Sequence, residues 1–114
     1  MLPKTQKLHL DKEFDQVFQT GRSTYGRFLG VKMIKTKLPQ SRFAVILGLK
    51  IEKSATKRHK LKRQIFLIVK EAQQNLSFSC DCVIIALPSI KEANFIDIKL
   101  DLLKTLAKTA KQYG

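Results

Sequence analysis

From Cys80 to Leu87 the chain is apolar at every position but Asp81, and Pro88 ends the run. Such a stretch, dense in Val and Ile, suits a central strand covered on both faces. Elsewhere the periods alternate. Leu10, Phe14, Val17 and Phe18 recur at helical spacing, with Asp11, Glu13 and Asp15 near the positive end of the backbone dipole and Gly21 at the stop. This predicts a first helix over roughly 11 to 20. Period two takes over from Arg27 to Lys35, with Leu29, Val31 and Met33 on one face and Phe28, Gly30, Lys32 and Ile34 on the other. After a loop containing Pro39, Arg42 to Leu49 reads as a second strand, expected to neighbour the first antiparallel.

Ser54 is placed to cap a long helix reaching about Leu76, with the stripe Leu61, Ile65, Ile68, Ala72 and Leu76. Phe66 and Leu67 fall on other sides, so more than one element is expected to contact its middle. Asn94, with Asp97 three residues on, opens a last helix to about Lys111. Its predicted buried stripe is Ile96, Leu100, Leu103, Ala107 and Ala110, and its predicted wet face Asp97, Asp101, Lys104, Lys108 and Lys111.

The chain has 114 residues, 44% of them hydrophobic, with no internal repeat or long linker, so one small folded domain is expected rather than a disordered basic tail. Apolar runs such as Ile65 to Val69 fall far short of the roughly 18 residues a membrane span needs. Met1 to Leu10 lacks the apolar core of a signal peptide, and the expected location is the cytoplasm. Cys80 and Cys82, two residues apart on an extended segment, point the same way and suit a disulfide poorly. They are expected to be reduced core thiols. A structural zinc wants four ligands, and His9 and His59 lie far from the cysteines.

Twenty-two Lys and Arg against nine Asp and Glu leave a net charge of +13. Self-repulsion of that size favours a polyanionic partner. Nucleic acid fits better than an anionic membrane, because the basic residues do not lie opposite bulky apolar groups on one helix. Seven Lys and Arg and one acid, Glu52, fall between Lys50 and Arg63. Lys57, Arg58, Lys60, Lys62 and Arg63 occupy the start of the long helix, where backbone N–H groups are already positive and a cation costs about 0.3–1 kcal/mol. At i, i+4 spacing Arg58 lies with Lys62 and His59 with Arg63, while Lys60 points to the other flank. A tip that is basic nearly all round can touch several phosphates of a folded RNA.

The run Ala55-Thr-Lys-Arg58-His59-Lys-Leu61-Lys62-Arg63 resembles the arginine-rich signature of the protein subunit of bacterial ribonuclease P. Met1-Leu-Pro-Lys4, the segment Glu13 to Phe18 with Gly21 and Arg22, and Asp81 to Pro88 are similar to that family's opening and central strand. The chain departs from the signature with His59 for Asn, Phe66 for a frequent Arg, Lys53 for a loop glycine and Lys50-Ile51 for a Lys-Lys pair. Lys32 stands where many members carry Tyr.

The resemblance implies an α+β fold for 1–114: a four-stranded sheet packed by about three helices in the order α-β-β-β-α-β-α. It also implies a left-handed parallel βαβ crossover, one met in a ribosomal protein domain. The implied role is that of a subunit with no catalytic residue of its own. Ribonuclease P RNA, using Mg²⁺, would remove the 5′ leader of precursor tRNA in the holoenzyme. Lys50, Lys53, Lys57, Arg58, His59, Lys60, Lys62 and Arg63 would bind the catalytic RNA, and Phe14, Phe18, Arg27 and Lys32 would line a cleft for the leader. Neither a membrane nor DNA is an expected partner. Two other readings of the same residues stand beside this one: a metal-independent ribonuclease using His9 and His59, and a ribosome-associated or RNA chaperone module.

Overall fold

The computed structural model describes residues 11–113. The motif at Met1 to Lys4, His9 and the first apolar position of the opening stripe, Leu10, lie outside the described residues. Helix α1 spans Asp11–Thr20; β1, β2 and β3 span Arg22–Tyr25, Leu29–Lys35 and Arg42–Ile46; α2 spans Ala55–Ala72, β4 Cys80–Ala86 and α3 Phe95–Lys111. Single 3₁₀ turns follow α2 at Gln73–Asn75 and β4 at Pro88–Glu92. Three helices and a four-stranded mixed sheet thus form one α+β unit.

The sheet order is β1-β2-β4-β3, with β4 antiparallel to β2 and parallel to β3. The two strands expected to be neighbours, β2 and β3, are therefore separated by β4. The apolar run takes the centre because only there are both of its faces covered. Its residues are buried except Ile85, which is half-buried. Cys80, Cys82, Ile84 and Ala86 join the main core with Ile65, Ile68 and Val69 of α2 and Ile98, Leu102 and Leu106 of α3. On the opposite face Val83 meets Ala44 and Val17 of α1 in a smaller cluster, with Phe14, Ile34 and Ile85 packed against it. Strand β1 is polar and lies at the sheet edge, so it offers no apolar alternation to read.

Arg42 anchors α1. Its Nε and Nη2 donate to the two carboxylate oxygens of Asp81 at 2.8 and 2.6 Å, and its Nη1 pairs with Glu13. A forked guanidinium between two acids satisfies the largely buried Asp81 carboxylate and joins helix to sheet.

Two predicted faces turn out differently. On α3 the buried residues are Ile98, Leu102, Thr105, Leu106 and Thr109, whereas Ile96 and Leu100 are 67% and 63% exposed. Ala107 is also exposed, and Leu103 and Ala110 are half-buried. The polar Thr105 and Thr109 can face the core because their hydroxyls donate to the carbonyls of Asp101 and Thr105, four residues back, at 2.7 and 2.8 Å. Asp101 is not free on a wet face: its carboxylate accepts the backbone N–H groups of Arg27 and Phe28 at 2.9 and 2.8 Å, pinning the β1–β2 turn to α3. Phe28, placed with Gly30 and Lys32 by period two, instead belongs to the main core, because it precedes the regular strand. On α2, Phe66 is buried while Leu67 is 60% exposed. Among the described residues no helix is long and apolar enough to cross a membrane.

Candidate nucleic-acid interface

Ser54 caps α2 as its position in the sequence suggests, its hydroxyl accepting the Lys57 N–H at 3.3 Å, and no acid occupies the first turn. The positive helix end is therefore left to cations. Lys50, Lys53, Lys57, His59, Lys60 and Arg63 are exposed; Arg58 and Lys62 are half-buried. Among the described residues none of these eight forms a salt bridge. Glu52, the one acid of the tract, is buried, and its carboxylate lies 3.6 Å from Lys91 Nζ. A cleft of about 440 Å³ opens between this tip and the start of α3, with Lys57, Lys60 and Lys91 on its walls. Lys91 is a cation that sequence proximity could not add to the tract.

Arg58 does more than was expected of it. Its Nη1 donates to the carbonyls of Glu52 and Lys53 at 3.0 and 2.9 Å. The guanidinium thus clasps the loop that carries Lys50 and Lys53 onto the first turn of α2.

On the α1 side of the sheet, Phe14 is half-buried in the small cluster, whereas Phe18 is 39% exposed. Lys32 Nζ lies 5.0 Å from the Phe18 ring centre, in cation–π range, so two of the proposed cleft residues meet across elements. Arg27 does not join them. It lies 5.0 Å over the ring of Phe28, whose side chain belongs to the core under the opposite face. Tyr25, passed over in the sequence, shares the face of Lys32 and rests against Gly30. The available signal was Gly30 itself, since a glycine inside a strand marks a close approach.

Cys80 and Cys82 are free and buried; burial pushes the Cys80 thiol up to about 11 and that of Cys82 well above its ordinary value. Such thiols are poor nucleophiles and poor ligands. Among the described residues no group of three His, Cys, Asp or Glu is arranged to hold a metal ion.

The family model described as Ribonuclease P matches residues 2–110. The chain is 31% identical over 108 residues to the ribonuclease P protein component of Syntrophomonas wolfei, covering 95% of this chain and 90% of that one. With that of a Synechocystis species it shares 35% identity over 88 residues, covering 76% and 71%. The RNase P protein of Staphylococcus aureus has a TM-score of 0.82 at 23% identity, over 93% of this chain and 98% of that one. The RNase P protein of Thermotoga maritima has 0.77 at 25%, over 86% and 94%. A match over nearly the whole chain, joined to the same α+β fold, places this chain in the ribonuclease P protein component family, the protein part of a tRNA-processing ribonucleoprotein endonuclease.

Proposed function

We propose that the chain binds ribonuclease P RNA through the start of α2 and the 5′ leader of precursor tRNA on the α1 face of the sheet. The RNA carries out the Mg²⁺-dependent hydrolysis. The observation that carries this reading is the tip itself: eight basic or imidazole side chains around a helix start, with no carboxylate partner among the described residues. Phosphates neutralise such a surface without regard to base sequence, so they position the protein on the RNA rather than select a sequence. The exposed Phe18 ring with Lys32 above it supports the leader assignment, because aromatic faces hold bases and a cation holds the adjoining phosphate.

Reconstitution tests this. Purified protein alone is expected to leave precursor tRNA intact in Mg²⁺, and addition of a bacterial ribonuclease P RNA at low Mg²⁺ to yield a single 5′ cut. Cleavage by the protein alone, lost in His59→Ala, would overturn the reading and establish a protein ribonuclease.

A further inference from the structure

One row of residues crosses all four strands on the α1 side: Tyr25 of β1, Gly30 of β2, Ile85 of β4 and Ile46 of β3. Helix α1 sets Val17 against Ala44 and Val83 of the neighbouring row, and Ile85 packs half-buried beside that cluster, but the two ends of this row stay open, with Tyr25 58% and Ile46 38% exposed. Despite that exposure, the tyrosine ring does not reach away from the sheet. It fills the place a side chain at position 30 would take, since a Cβ there would meet ring atoms Cδ1 and Cε1 at 2.5 and 2.6 Å. One side of the ring thus rests on the strand and the other is open to solvent. About 7 Å along β2, two residues on, Lys32 carries its ammonium over Phe18. The turn behind Tyr25 is held: Asp101 accepts the Arg27 and Phe28 N–H groups, and Gly26 packs against Asp101 and Thr105.

We propose that Tyr25 is a base-stacking platform for single-stranded RNA, and that the strand crosses the sheet from the Phe18–Lys32 pair to the Tyr25–Gly30 pair. The inference rests on the reading of this face as the leader site and adds a second aromatic position to it. The rest of the row is glycine and isoleucine, which offer no side-chain donors or acceptors to base edges. The platform therefore takes any base through its flat face. Gly30 is part of the device, because its missing side chain lets the ring settle on the strand.

The test compares holoenzymes, reconstituted with a bacterial ribonuclease P RNA, binding precursor and mature tRNA. Tyr25→Ala should weaken precursor binding on the order of tenfold, leave mature tRNA binding unchanged and leave the salt slope intact, because stacking releases no counterions. Tyr25→Phe should retain full binding. Gly30→Ala should displace the ring and reproduce the loss without lowering the melting temperature, and adding it to Tyr25→Ala should cost nothing more, since both remove one contact. The chain contains no tryptophan, so the fluorescence of Tyr25→Trp should be quenched by precursor tRNA and not by mature tRNA. If Tyr25→Ala binds precursor like the wild type while Phe18→Ala does not, the platform is wrong and the leader site stands. If the wild type itself shows no preference for precursor, both fall. Equal loss for the two tRNAs would also overturn the platform.

Discussion

Arg58 and Arg63 lie on the same helix start, yet their surroundings give them different work. Arg58 Nη1 holds two loop carbonyls, while Arg63 is exposed and makes no salt bridge among the described residues. Arg58→Ala is expected to cost about 1–2 kcal/mol, because two hydrogen bonds from a charged donor are lost. Thermal melting should register this as a fall of about 5 °C or more. Arg63→Ala should leave stability within about 0.5 kcal/mol and reduce the salt slope of RNA affinity by about one unit. A melting temperature unchanged in Arg58→Ala would show that the clasp contributes nothing. Both arginines were legible as cations from the tract, but not their division of labour. The clasp depends on where the loop carbonyls point, which residue types do not encode. Arg27 is the opposite case. A cation beside the strand looked available to the cleft, yet its turn is pinned by Asp101, 74 residues away, and its side chain stacks on Phe28.

Among the elements, α3 shows how a correct helix can be read with the wrong face inward. Its length and its Asn94 cap, which accepts the Asp97 N–H at 2.9 Å, follow from local signals. Its buried side does not, because leucine and isoleucine occur on two sides of the helix and the polar Thr105 and Thr109 appear to the eye as surface. Self-satisfied hydroxyls remove that objection, and the stripe through Ile98, Leu102 and Leu106 takes the sheet. Urea denaturation distinguishes the faces. Leu102→Ala is expected to cost about 2–5 kcal/mol, as for a fully buried leucine. Leu100→Ala should change stability by less than about 0.5 kcal/mol, as surface substitutions do. Comparable losses at the two positions would contradict the observed packing. Strand β1 escaped period-two reading for a related reason. A polar edge strand is defined by its pairing with β2, from Arg22 opposite Met33 to Tyr25 opposite Gly30, and not by a pattern of its own.

For the molecule as a whole, folding places two thiols in the core, and this ties stability to alkaline pH. Burial raises the Cys80 thiol from 9.0 to about 11 and also pushes the Cys82 thiol well above its ordinary value. The unfolded chain therefore gives up these protons first. Their contribution is fully present below about pH 9 and is lost as pH climbs above it, for Cys80 through about 11. Urea midpoints should fall across that window, and fall less in a Cys80→Ala, Cys82→Ala double variant. Equal slopes in the two proteins would mean that the thiols carry no such linkage.

What the amino-acid sequence determined by itself is what neighbours along the chain control. These are the helix caps at Ser54 and Asn94, the apolar run that must lie at the centre of a sheet, the two-residue and helical periods, and the concentration of charge before Arg63. Each is a matter of backbone geometry within one or two turns, so spacing alone reveals it. Only the tertiary structure decided that β4 separates β2 from β3 and which side of α3 is dry. The same is true of the Arg42 link between Asp81 and Glu13, and of the Tyr25 ring settling on Gly30. Those outcomes are competitions between groups from different elements for the same space and the same hydrogen bonds, and they exist only once the chain has brought the groups together.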